Sequence, residues 1–131
     1  YGHTTMYFQD PRGNWYSYNQ GAAGQTSSGG NLGFLSGSNA PAGVSIQPIG
    51  APPSNALIYP STPVQNAKIS SCAVASQAAH NSGQVSYNLY SNNCTGSAVK
   101  VLSCAGITVP NPIFTLKPNS WFKQLPAPPK Q

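Results

Sequence analysis

Apolar and polar positions alternate at the start of the chain and turn helical in its second half. Residues 3–9, HTTMYFQ, are rich in β-formers. Asp10-Pro11-Arg12-Gly13-Asn14 is turn chemistry, since Pro presets φ and Gly and Asn tolerate left-handed backbone. Residues 15–19, WYSYN, return as a second strand, so the pattern predicts a hairpin. If the turn occupies 10–14, Tyr7 pairs with Ser17 and Thr5 with Asn19, and His3, Ser17 and Asn19 share one face. Residues 20–43 are rich in Gly, Ser, Ala and Asn, with one apolar interruption from Leu32 to Leu35, and read as a long loop. VSIQPI at 44–49 alternates as a strand, with Pro48 confining it to an edge or an end. Ala51-Pro52-Pro53-Ser54 reads as a turn, and Ala56 to Tyr59 as a short apolar strand.

Helical signals follow. Thr62 suits an N-cap and Pro63 the first helical position, and 63–79 is Ala-rich and free of Gly. His80-Asn81-Ser82-Gly83 stops that helix, and Val85 to Tyr90 is extended or irregular. A second helix is predicted from Cys94 to Ala105. Ala98, Val101, Leu102 and Ala105 form its apolar stripe, Asn93 is its N-cap and Gly106 its C′ residue. A Pro-rich link leads to a short helix near Asn119 to Leu125, then to an extended tail at 126–131. The expected fold class is α+β: a small antiparallel β-sheet packed against a few helices, in one domain over 1–125. No internal repeat is present.

Composition narrows the setting. With 131 residues the chain suits one small core. Charged residues make up only 5%, and Asp10 is the sole acid against six Lys and Arg, giving a net charge of +5. So few charges among so many Asn, Ser, Gly and Thr point to a secreted or extracytoplasmic protein, or a toxin domain. Arg12, Lys68, Lys100, Lys117, Lys123 and Lys130 are scattered, whereas a nucleic-acid binder needs a basic patch, so no nucleic-acid partner is expected. No stretch approaches the length of a membrane span. No signal peptide is visible, and a start at Tyr1 without Met suggests a module cut from a larger polypeptide. Three cysteines, an odd number, exclude a complete disulfide framework. One pair, for example Cys72–Cys104, can form in an oxidising compartment and leave Cys94 free.

Cys94 stands where a polar run, Ser91-Asn92-Asn93, gives way to the second helix. A cysteine on a first helical turn feels unpaired N–H groups and the helix dipole, which favour thiolate. Nucleophilic catalysis also needs a base, and the candidates are His3 and His80. His80, at a helix C-terminus, reads as a capping or surface residue. For His3, a catalytic and an ordinary terminal role stand level on the hairpin alone. Ser17 or Asn19 is placed to orient the imidazole of His3. Asp10 sits in the turn, remote from His3, where an Asx-turn bond is expected. A single acid nearly excludes paired-carboxylate chemistry and acidic metal sites, and no cofactor is expected.

GHTTMYFQDPRGNWYSYNQG, followed much later by YNLYSNNCTGSAVKVLSCAGI, resembles the circularly permuted papain-like, NlpC/P60-type cysteine hydrolases. The nearest likeness is to domains at the C-termini of bacterial polymorphic and type VI secretion toxins. That family reads Gly-His on a strand, a Gly-turn hairpin, an aromatic second strand, and later Tyr-x-Leu-x-x-Asn-Asn-Cys opening a helix. ALIYPSTPVQNAKI and KPNSWFKQL are similar to its intervening strand and Thr-Pro helix start and to its closing helix. The resemblance implies a permuted papain-like fold with Cys94 as nucleophile and His3 as base. It places the third catalytic position near Ser17, where some relatives carry Asp, or at Asn19. Tyr90, Asn93 and Trp15 are the substrate-contacting residues expected around them. The implied activity is thiol-dependent cleavage of an amide bond, in peptidoglycan or in a protein substrate, by an antibacterial toxin domain delivered to the periplasm of a target cell. A cognate immunity protein is the implied partner. Deamidation or lipid acyl hydrolysis on the same fold is the alternative chemistry, and a non-catalytic wall- or glycan-binding module is the alternative class. A basic nuclease lacks its usual metal-binding set here.

Overall fold

The computed structural model describes residues 3–22, 40–88, 91–109 and 121–128. Four strands and two helices are laid out as β1 (Met6–Gln9), β2 (Trp15–Ala22), β3 (Ala40–Ile49), α1 (Pro63–Asn81), β4 (Ser86–Tyr87) and α2 (Cys94–Cys104). The strands form one antiparallel sheet in the order β1-β2-β3-β4, and both helices pack against it.

The hairpin closes in the register its turn chemistry dictates, with Tyr7 opposite Ser17 and Gln9 opposite Trp15. Asp10 organises the turn. Its Oδ1 accepts from the N–H groups of Arg12 (2.9 Å) and Asn14 (3.0 Å), and its Oδ2 from Asn14 Nδ2 (3.0 Å). Gly13 takes φ 86°, which an L side chain rarely adopts.

Two expectations need correction. Residues 20–22 and 40–43 are not loop: β2 runs on to Ala22 and β3 starts at Ala40, paired as Gln20↔Val44, Gly21↔Gly43 and Ala22↔Ala42. Small residues carry little strand signal of their own, and here the neighbouring strand sets their conformation. The remainder of the expected loop, with Leu32 to Leu35, lies outside the described residues. Ala56 to Tyr59 is not a strand. Pro52, Pro53 and Pro60 crowd the segment and supply no N–H for a ladder, and Ile58 and Tyr59 stay exposed. Pro48 pairs with Tyr16 where the other edge of β3 is open, since β4 covers only Ala40 and Pro41.

α1 begins as its sequence dictates. Thr62 caps Gln65 N–H at 3.1 Å while the Gln65 side chain returns a bond to Thr62 N–H at 3.0 Å, with Pro63 at the first turn. Its buried residues, Asn66, Ile69, Ala73 and His80, form one stripe. α2 is short and contains Gly96 and β-branched residues, so burial rather than propensity holds it. Ala98 and Val101 from α2, its C-cap Ala105, and Ile69 and Ala73 from α1 meet Met6, Phe8, Tyr18 and Val44 of the sheet in one apolar cluster. A disulfide, Cys72–Cys104, ties α1 to the far end of α2 across 32 residues of sequence. Closing a loop of that length is worth about 3–4 kcal/mol in the chain-entropy account.

The C-terminal residues add one helical turn, with Gln124 N–H bonded to Trp121 O and Leu125 N–H to Phe122 O. Asn119, where a short helix was expected to start, lies outside the described residues. The start of the expected tail is held, because the Tyr59 hydroxyl donates to Pro126 O. Among the described residues no helix is long and apolar enough to cross a membrane.

Candidate active site

α2 opens at Cys94 itself. Asn93 is the N-cap, with extended backbone and its side-chain oxygen accepting from Gly96 N–H at 2.7 Å. Asn93 O takes Ser97 N–H at 2.8 Å. The thiol therefore sits on the first helical turn, buried and outside any disulfide. The N–H groups of the first turn lack intrahelical acceptors, and the positive end of the helix dipole lies at the sulfur.

Strand β1 is led in against this helix end by the residues just before it. Thr4 N–H donates to Cys94 Sγ at 3.4 Å, and the Thr4 hydroxyl shares a 2.7 Å hydrogen bond with that of Thr95. Thr95 and Ser97, polar and almost wholly buried, are both satisfied, Ser97 by the hydroxyl of Tyr18 on β2. Residues distant in sequence are thus latched together by hydroxyl pairs.

His3, exposed at the rim, stands close enough to Cys94 for the two to perturb each other's titration. Its Nε2–H donates to Asn19 Oδ1 at 2.9 Å, and the same oxygen accepts from the Thr5 hydroxyl at 2.6 Å. With Nε2 engaged by a carbonyl oxygen, Nδ1 is the ring nitrogen left for the sulfur. The pairing shifts both groups. The hydrogen bond with Cys94 raises the His3 pKa, outweighing the burial that lowers it, and the bond to Asn19 adds to the rise. For Cys94, burial pushes the thiol up most, but hydrogen bonds from His3, Thr4 N–H and Thr95 and the charge of His3 together bring it below the ordinary thiol value. Thiolate and imidazolium therefore favour each other, as a cysteine nucleophile requires.

The expected site residues separate into those brought together and those not. Cys94, His3 and Asn19 converge. Ser17 shares the face of Asn19 but lies one pleat repeat further along β2, opposite Tyr7 and Gln47, and the bond to the imidazole comes from Asn19. Asn93 is at the site, with its side-chain oxygen committed to capping. Trp15 is at the turn end of β2, away from Cys94. There it lines an apolar cavity of about 710 Å³ that Thr4 and Thr5 border near the sulfur. Tyr90 lies outside the described residues.

His80 is a correction. It is buried, not a surface cap. The stripe Asn66–Ile69–Ala73 continues to it at helical spacing, a signal legible in the sequence. Its Nδ1–H donates to Ser76 O at 2.7 Å and its Nε2 accepts from Asn92 Nδ2 at 3.2 Å. Sequence reasoning also missed Thr4, Thr5 and Thr95, whose hydroxyls are unremarkable until the chain folds. In comparisons with protein-family models, curated proteins and solved structures, nothing matched this chain.

Proposed function

We propose that this domain is a thiol-dependent hydrolase working through a Cys94–His3–Asn19 relay. One observation carries the reading: the imidazole of His3 is held on one side by Asn19 Oδ1 and meets Cys94 on the other, at the start of α2. In this mechanism the Cys94 thiolate attacks a carbonyl carbon. The backbone N–H of the first α2 turn stabilises the oxyanion. His3, carrying the proton, gives it to the leaving group as the tetrahedral intermediate collapses to a thioester. Water, deprotonated by His3, then releases the acid and regenerates the thiol. Asn19 keeps the ring oriented through both proton transfers, the role Asn plays in other Cys-His-Asn sites.

The bond we assign is an amide in peptidoglycan, cleaved by an antibacterial toxin domain acting in the periplasm of a target cell, with a cognate immunity protein as its inhibitor. The sequence order of the Gly-His dipeptide, hairpin and Asn-Asn-Cys helix start supports this family-level reading. The Cys72–Cys104 bridge supports an oxidising destination. A second substrate class is favoured by one specific observation. The cavity of about 710 Å³ beside Thr4 and Thr5 is walled by Met6, Phe8, Ile69, Ala98 and Leu102, and would suit the apolar part of a lipid ester.

Incubating purified sacculi with the intact protein, and separately with Cys94→Ala, then analysing released fragments by mass spectrometry, tests the assignment. New amine and carboxyl termini produced only by the unmodified protein are expected. Equal wall damage by both proteins would favour a binding module. Silence on sacculi together with Cys94-dependent release of fatty acid from vesicles would move the substrate to lipid.

A further inference from the structure

His80 is a buried titratable side chain that the proposed reaction does not use, and its surroundings point to a task. Its Nδ1–H is fixed on Ser76 O at 2.7 Å, with Ser76 Oγ at 3.3 Å and the Tyr18 hydroxyl beyond. Nε2 is therefore the acceptor nitrogen. Asn92 Nδ2 donates to it at 3.2 Å, and Gln20 Nε2 lies 3.5 Å away. Gln20 Nε2 also donates to Asn92 O at 3.0 Å, and Asn92 Nδ2 reaches Ser86 O at 2.8 Å. Backbone bonds between Asn88 and Asn92 complete the set. Asn92 is thus gripped by side chain and main chain at once, directly before the N-cap and the nucleophile.

The grip has a cost that makes it informative. Gln20, 1% exposed, leaves its Oε1 with no partner among the described residues. A buried amide so oriented gives up an acceptor bond in order to hold Asn92 O. Its neighbour on β2, Asn19, points to the opposite face of the sheet and holds His3. Two consecutive residues of one strand therefore hold His3 directly and, through Asn92, the segment that leads into Cys94.

We propose that His80, with Gln20, is a positioning residue that fixes Asn92 and thereby sets the start of α2, and the sulfur of Cys94, against His3. This rests on the hydrolase reading above. It adds that the reactivity of Cys94 depends on an acceptor nitrogen carried by a different helix. The groups meeting His80 from α1, β2 and the 91–93 segment are neutral, and His3 is the titratable group that meets Cys94.

The test is the rate of Cys94 carboxamidomethylation by iodoacetamide across pH 5 to 9, followed by mass spectrometry on the oxidised full chain. His80→Leu fills the same space without an acceptor. It is expected to react roughly tenfold more slowly than wild type at pH 6.5, with its profile displaced toward that of a free thiol. His80→Gln, whose amide oxygen can take the Asn92 N–H, is expected to stay within about threefold of wild type. A merely structural role would lower the unfolding temperature of both and leave the thiol profile in place. An unchanged profile in a folded His80→Leu protein overturns the proposal. If that variant does not fold by circular dichroism, Gln20→Leu, which removes the other arm, is judged by the same criterion. Should wild-type Cys94 itself alkylate like a free thiol, it is the hydrolase reading that fails, and the two failures are distinct.

Discussion

At the scale of single residues, the molecule turns on the contest around one sulfur. Burial opposes the thiolate of Cys94, and His3, Thr4 N–H and Thr95 override it. The Cys94 pKa is depressed, so its contribution to stability is full above the ordinary thiol value of about 8.5 and is lost as pH falls through the folded value. The His3 pKa is raised, so its contribution is full below about 6.5 and is lost as pH rises through the folded value. The ion pair therefore stabilises most between the two folded values. The difference in unfolding temperature between wild type and His3→Ala should peak in that window. The same substitution leaves burial unopposed by its main counterweight. The alkylation midpoint of Cys94 should then move to that of a free thiol or above, and hydrolysis should fall about 10²-fold or more. Asn19→Ala removes the acceptor shared by His3 and Thr5, and its turnover should drop roughly 10- to 100-fold, with the thiol profile displaced part of the way toward that of His3→Ala.

At the scale of elements, caps and turns carried the legible part of the fold. Thr62 with Pro63 and Gln65 announces α1, Asn93 and Gly106 bracket α2, and the five residues from Asp10 to Asn14 fix the hairpin register. These signals are local, so one sequence suffices to read them. What stayed hidden was decided by partners. Gly21 and Ala22 become strand because Gly43 and Ala42 lie opposite, and the apolar run at 56–59 becomes a cavity wall because prolines deny it a ladder. The candidate site divides the same way. Cys94 and its cap were readable, whereas the choice of Asn19 over Ser17 needed the meeting of β1, β2 and α2. Gly96 shows the two levels in tension. A Cβ there would stand 3.2 Å from Asn93 Oδ1, closer than usual. Gly96→Ala gains about 1 kcal/mol of helix propensity yet presses on the cap. Its expected outcome is an unfolding temperature near wild type with slower Cys94 alkylation. Asn93→Ala, which loses the cap, should cost about 1 kcal/mol in denaturant unfolding and slow alkylation as well.

At the scale of the whole molecule, one sheet face carries both helices, and the disulfide joins those helices at the end of α2 opposite Cys94. Reducing it should lower stability by about 3–4 kcal/mol, seen as an earlier urea midpoint in dithiothreitol than in buffer. Cys72→Ser/Cys104→Ser should match the reduced protein. The pairing also poses a sorting problem during maturation. Three sulfurs admit three single bridges, 72–94, 72–104 and 94–104, and only the second leaves Cys94 free. In the folded chain the error is prevented by distance, since Cys94 opens α2 and Cys104 closes it, about 15 Å along the helix axis. An oxidant that arrives before α2 has docked meets all three on equal terms. Preparations oxidised from the denatured state should accordingly contain trapped, inert isomers that preparations oxidised after folding lack.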